Sequence, residues 1–414
     1  MKLPHDKFCV LPWISLEASP IGTVRPCCLA DDEIVDDNGN KFSLLSADFT
    51  EIQNSKNMRE LREQFLAGKK PQTCRKCWNE ERAGRTSKRM HTLNRLKHMQ
   101  VGEEWSADAK PLMFLDLKLG NICNLKCRIC GSWSSSQFAT EEIQWTNPEE
   151  RKTTFAYQML RAGAWPQENE TFWNQIDQHL SDIRYIEFTG GEPFMIKEHF
   201  QMLQGIVDRG IAHQVEIHYN TNGTQWPEGA EEIWKHFKTV EIAFSIDDVG
   251  TRFEYQRSNA VWTEVCENLD RFRDMKERNP NIVLQVCTTV NVFNVRYLDQ
   301  VAEWIDRNRE SFNFVYWNMM HDAWYFSISN LPARAKQEIT QHLTNCNLNP
   351  EWRGEFDRII EFMNRGVDSD GDMLRMKIRD LDRKRGQNLA DVAPEFAASI
   401  DYNYNDTDPN APQA

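Results

Sequence analysis

The sequence predicts an α/β protein: an open, partial barrel of six parallel βα units, preceded by a small cysteine-rich module. Three observations predict it. From Leu112 onward, short apolar runs alternate with helical patterns. Eight of the eleven cysteines fall in clusters in the first third of the chain: Cys9, Cys27, Cys28, Cys74, Cys77, Cys123, Cys127 and Cys130. The composition, 40% hydrophobic and 27% charged with 14 Trp and 22 Phe over 414 residues, supports a sizeable core and excludes a disordered acidic chain.

Residues 1–85 form the module. They are turn-rich, with one clear helix over 57–67, and so short a segment needs bound metal in place of a large core. Residues 86–110 are a basic segment and linker. Between Arg75 and Lys97 stand eight Lys or Arg against Glu80 and Glu81. Such a run is most often a solvated helix face, and the alternative is docking of an acidic electron donor. The polar stretch from Gly102 to Lys110 completes the linker.

The barrel occupies 111–330. Its strands are expected at 113–117, 185–188, 215–219, 240–246, 282–290 and 312–317. Helices at 193–209, 228–237, 259–277 and 297–308 separate them, the third carrying Val261, Val265, Leu269 and Phe272 as an apolar stripe. Residues 134–181 read as an inserted helical region. Six units cannot close an eight-stranded barrel, which leaves it open, with its site at the C-terminal strand ends. Residues 331–400 are helical and polar, and the Asp-, Asn- and Pro-rich 401–414 reads as a disordered tail.

No apolar run is long enough to cross a bilayer, and the opening residues lack a secretion signal, so a cytoplasmic protein without a membrane partner is expected. The net charge of −13 disfavours nucleic acid as a partner. An odd cysteine count in a reducing compartment points to metal or iron-sulfur ligation, not to disulfides.

The sharpest motif is Cys123-Asn124-Leu125-Lys126-Cys127-Arg128-Ile129-Cys130, directly after the first barrel strand. Three thiolates at these spacings can wrap a cubane and leave its fourth iron open, whereas a structural zinc wants four protein ligands. This loop resembles that of the radical S-adenosylmethionine (radical SAM) superfamily, over roughly 112–320. Further motifs follow in the family's order. Gly190-Gly191-Glu192-Pro193 resembles the GGEP element that meets the cofactor's amino group, and Asn222 lies in a turn similar to the family's TNG turn. Ser245 and Asp247 lie in a segment resembling SID, whose Ser and Asp approach carboxylate and ribose. Arg257 stands where a family Arg pairs with the carboxylate, and 286–291 would border the adenine. Ile129, in place of an aromatic, and Asp248, in place of Gly, depart from the family pattern.

In the module, Cys9, Cys27, Cys74 and Cys77 supply four thiolates for either a zinc or a [4Fe-4S] cluster. The segment resembles the SPASM/twitch auxiliary-cluster domain through Leu11-Pro12-Trp13, Gly22, Arg25-Pro26-Cys27-Cys28 and a helix before Cys-x-x-Cys. It lacks the further cysteines of the two-cluster form, and it precedes the barrel instead of following it. Cys28 is a neighbour of the ligand set or an alternative ligand.

The resemblance implies two [4Fe-4S] clusters, S-adenosylmethionine, and reductive cleavage to a 5′-deoxyadenosyl radical that abstracts hydrogen from a peptide, protein or small-molecule substrate. A flavodoxin- or ferredoxin-like electron donor would supply the electron. The alternative is a noncatalytic, metal-stabilised interaction protein that retains the fold. Outside these motifs, Asp116, Lys118, His218 and Asn220 are expected to face the barrel interior as structural pairs or substrate contacts. Trp317, Asn318 and His321 should lie near the substrate, and Cys266 and Cys287 should be core residues. Cys346 sits in a polar turn.

Overall fold

The computed structural model describes residues 2–82, 86–97, 102, 104–320 and 323–406. Among the described residues there are ten strands: β1 (Ser15–Ala18), β2 (Val24–Arg25), β3 (Phe114–Lys118), β4 (Lys126–Cys127), β5 (Tyr185–Thr189), β6 (Glu216–Thr221), β7 (Thr239–Ser245), β8 (Arg257–Ser258), β9 (Ile282–Val290) and β10 (Phe314–Met319). Eight form one sheet in the order β10-β9-β7-β6-β5-β3-β1-β2, and β4 pairs with β8 alone. The six barrel strands β3, β5, β6, β7, β9 and β10 are neighbours in chain order and parallel throughout. This is the open barrel expected from the alternating pattern.

Strand parity separates two environments. Ile186, Phe188, Ile217, Tyr219, Ile242 and Phe244 are fully buried on one face. The helices Glu198–Asp208, Trp262–Arg278 and Leu298–Arg307 each carry an apolar stripe into the same core. On Trp262–Arg278 the stripe is Val265, Leu269, Phe272 and Met275; Val261 precedes the helix and is exposed.

The opposite face is charged. Glu17, Asp116, Glu187, His218 and Glu241 stand in register across five adjacent strands. Lys118 pairs with Glu17, and His218 Nδ1 lies 3.0 Å from Glu241 Oε2, so both residues have structural partners. Asp116 differs: it is 2% exposed, its Oδ2 is buried without a hydrogen-bond partner, and burial next to Glu187 pushes its carboxyl up to about 6.

The basic run is solvated only in part: Arg75, Lys76, Arg82 and Lys97 are exposed, whereas Lys88, Arg89 and Arg95 turn inward. Residues Lys88–Leu96 form a helix whose Lys88 reaches Glu187 at 2.7 Å and whose Arg95 reaches Glu216 at 3.0 Å and Glu241 at 3.2 Å. These cations neutralise the inner carboxylate row. Arg75 and Lys76 both meet Asp31, and Arg85 lies outside the described residues.

The amino-terminal module joins the barrel through its backbone. β1 pairs parallel with β3, so the module's hairpin extends the barrel sheet. The linker folds back on it: Lys110 N donates to Trp13 O, and Trp13 Nε1 to Ser106 O. Arg62 is fully buried, and burial lowers its guanidinium to about 10. It donates to Pro12 O, Ala107 O, Gln53 O and Gln53 Oε1, so carbonyl dipoles cross-brace module and linker.

One expectation at the chain's end changes. Residues 401–406 are not a loose tail: Tyr402 is buried, and Asp401 and Asp406 pair with Arg334 and Arg379. Of the expected tail, 407–414 lie outside the described residues.

Glu17, 0% exposed and bound to both Arg25 and Lys118, is the charged rivet of the β1–β3 joint. Glu17→Ala is expected to lower unfolding free energy by about 3 kcal/mol, as removing one partner of a buried pair does, measured by chemical denaturation.

Candidate metal centres

The first centre begins where β3 ends. The chain passes over the β5 end at backbone contact distance. Gly191 N donates to Gly120 O at 3.2 Å and Glu192 N to Ile122 O at 2.8 Å. A Cβ on Gly191 would lie 2.2 Å from Ile122 O, and one on Gly190, whose φ is +113°, 2.8 Å from Gly120 O. Two glycines are therefore a steric requirement for the crossing.

Beyond it, the cysteine loop is fixed from several sides. Ser135 Oγ donates to Leu125 O at 2.5 Å. β4 pairs antiparallel with β8, setting Cys127 opposite Arg257. Cys123 and Cys127 are buried and Cys130 is exposed. Burial beside Cys127 pushes the Cys123 thiol up to about 12. A hydrogen bond from the Cys130 thiol holds the Cys127 thiol below its ordinary value, with Arg257 contributing, while that same bond raises Cys130.

The other motif residues converge here. Asn222 Nδ2 lies 3.8 Å from Cys123 Sγ and donates to Asn124 Oδ1 at 3.0 Å. Arg257 Nη1 lies 3.9 Å from Cys127 Sγ, and its Nε and Nη2 donate to Asp247 Oδ2 at 3.0 and 2.6 Å. Asp247 Oδ1 accepts from Thr289 N. Glu192 accepts from Thr221 Oγ1, Asn222 N and Phe194 N, and burial raises its carboxyl to about 7. Both carboxylates thus hold neighbouring protein groups. Pro193 opens a single 3-10 turn after Glu192, and Ser245 ends β7 in register with Cys287. Asp248, the departure after this segment, is buried and binds Arg252, Gln256 and Val249 N, which anchors the helix Gly250–Gln256 leading to Arg257.

The second centre lies in the module. Cys9, Cys27, Cys74 and Cys77 line one cavity with Leu11, Leu29, Phe65, Trp78, Lys88 and Arg89. Burial raises the Cys27 thiol to about 11, and burial together with Cys74 and Cys27 raises Cys9. Four thiols around an apolar cavity suit a cluster that all four would ligate. Cys28 is not among the residues that line this cavity, and burial and Asp116 raise its thiol.

Residues 117–305 match the family model described as the radical SAM superfamily, and residues 9–78 match that of an iron-sulfur cluster-binding domain. The chain carries a radical SAM domain, preceded by an iron-sulfur cluster-binding domain. Such a domain uses a [4Fe-4S] cluster and S-adenosylmethionine, and the amino-terminal match implies a further iron-sulfur cluster. Similar solved structures include native anSMEcpe with bound AdoMet and Kp18Cys peptide, at 15% identity over 62% of each chain with a TM-score of 0.36. Another is TYW1 with a lysine-pyruvate adduct bound, at 11% identity over 51% of this chain and 64% of that one, with a TM-score of 0.27. The chain spans less than two thirds of either length. A search of curated proteins found no match.

The radical SAM loop has a further support that sequence reasoning missed. Arg128, between two of its cysteines, is fully buried against Asp382, both side chains being 0% exposed at a separation of 2.6 Å. Asp382 also accepts from Tyr255 OH, Leu389 N and Tyr402 OH. Arg385 meets Glu141, which pairs with Lys126 of the loop. The helix Asp372–Arg385 is therefore a clamp on the cysteine loop, although its charged sequence reads as a solvated face.

Three other placements differ from expectation. Trp317 faces outward against Trp352 and Phe356, while Asn318 faces inward and donates to Cys287 Sγ at 3.0 Å. Cys287 thus lines the barrel interior instead of the core, Cys266 borders a small pocket with Trp304 and Phe312, and His321 lies outside the described residues.

Gly191→Ala is expected to displace the loop at a cost of about 1–3 kcal/mol, as overpacking does, and to lower barrel iron content on reconstitution. Asp382→Ala leaves Arg128 buried and unpaired, and should cost about 3–5 kcal/mol in chemical denaturation.

Proposed function

We propose that Cys123, Cys127 and Cys130 hold the reducing [4Fe-4S] cluster, and that the protein is a radical SAM enzyme acting on a peptide, protein or small-molecule substrate. The observation that carries this reading is the convergence of the three thiols with Asn222 and the Arg257–Asp247 pair at the ends of the barrel strands. Cluster and S-adenosylmethionine together supply reductive cleavage to a 5′-deoxyadenosyl radical.

This chain's own residues define where that occurs. Gly190, Gly191, Glu192, Pro193, Asn222, Ser245, Asp247 and Arg257 border the cofactor. Glu192 and Asp247 act by fixing the Asn222 turn and the Arg257 guanidinium. The clamp around Asp382 holds the loop rigid, and the interior row from Asp116 to Glu241 faces the substrate chamber. Cys9, Cys27, Cys74 and Cys77 hold the auxiliary cluster. A flavodoxin- or ferredoxin-like protein delivers the electron.

Anaerobic reconstitution is expected to give about eight irons per chain, and about four after Cys123, Cys127 and Cys130 are all replaced by Ala. The reduced wild-type protein should form 5′-deoxyadenosine slowly without substrate, and Cys127→Ala should form none, as measured by chromatography. Full iron retention in the triple variant overturns the ligand assignment. A loaded wild-type protein that forms no 5′-deoxyadenosine under strong reductant favours the noncatalytic interaction protein.

A further inference from the structure

The helix Lys88–Leu96 lies between the two family-matched regions and belongs to neither. Its first turn builds the wall of the four-cysteine cavity, which both Lys88 and Arg89 line. Arg89 donates to Asp6 O and Phe8 O, fixing the chain that enters Cys9. It also binds Glu81 through two nitrogens at 2.9 and 2.7 Å, and Glu81 sits on the helix that carries Cys77. Lys88 faces the other way as well, with its Nζ 2.7 Å from Glu187 Oε2 on the barrel wall. The last turn of the helix is tied to the barrel by Arg95, through Glu216 and Glu241. The segment is a strut with one end in the module's cavity and the other in the barrel.

We propose that Lys88, which lines the cavity and whose ammonium is bound by Glu187 on the barrel wall, sets the reduction potential of the auxiliary cluster, so that the charge state of the barrel interior is felt by the module. This rests on Cys9, Cys27, Cys74 and Cys77 being the ligands. A cubane on four thiolates is net negative and gains a further negative charge on taking up one electron. A fixed cation in a poorly hydrated wall therefore stabilises the reduced form more than the oxidised one. Glu187 opposes this, because its carboxylate screens Lys88 from the cavity. The location of Lys88 agrees: it lines the cavity beside Cys27 and reaches Glu187 on the barrel side.

Potentiometric titration followed by electron paramagnetic resonance on the reconstituted full chain tests this, with the barrel signal identified by its response to added S-adenosylmethionine. Lys88→Gln is expected to lower the auxiliary midpoint potential at unchanged iron content, Lys88→Arg to restore it, and Glu187→Gln to raise it. A fully loaded Lys88→Gln protein with an unchanged auxiliary midpoint overturns the proposal. If Lys88→Gln loses auxiliary iron, Glu187→Gln decides: a raised midpoint supports the proposal and an unchanged one overturns it. A wild-type protein without a second cluster signal instead overturns the assignment of the four cysteines.

Discussion

Everything around the barrel centre depends on one close crossing, that of residues 120–122 over Gly190 and Gly191. The cysteine loop can present three thiols side by side only if its first residues lie directly on the neighbouring strand end, where any side chain would collide with a carbonyl. Once that contact is made, Glu192 fixes the Asn222 turn, and the Asn222 amide comes to rest beside Cys123. From the other side the short β4–β8 ladder brings Arg257 beside Cys127. The site is assembled from backbone proximity first and side-chain chemistry second.

The parts of this arrangement carried by local pattern were legible in the sequence. Each barrel strand lies within two residues of its expected position, because apolar runs bounded by turns report burial directly. The four module cysteines, grouped by their spacing in the sequence, line one cavity. What could not be read were charges whose partners lie far along the chain. Arg128 and Asp382 are 254 positions apart, and nothing in either neighbourhood marks them as a pair. The basic residues Lys88 and Arg95 look like solvent-facing cations until strands more than ninety positions later supply their carboxylates. Trp317 illustrates a finer failure: the register Phe314↔Gln285 places even-numbered residues of β10 on the inner face, a one-residue parity that the apolar run does not encode.

The interior of the barrel is accordingly polar but largely self-compensating. Glu17, Glu187, Glu216 and Glu241 each have a cationic partner, supplied by Arg25, Lys118, Lys88, Arg95 and Lys238. Such pairs cost desolvation and contribute little net stability, yet they fix the position of each element relative to its neighbours. Module, strut helix and barrel therefore form one framework around the two centres.

The parallel pairing of β1 with β3 also governs how the chain comes together. Ser15 must find Phe114, and the residues between them make up nearly all of the module and the strut. As the chain leaves the ribosome, the module emerges ahead of the barrel with the β3-facing edge of β1 open, and that edge stays open until residues 114–118 arrive. Closing so long a loop is only modestly more costly than closing a short one, because the entropic penalty grows with the logarithm of length. The first barrel strand is thus laid down on a template already present. The order of domains along this chain places the edge that starts the sheet ahead of the strands that extend it.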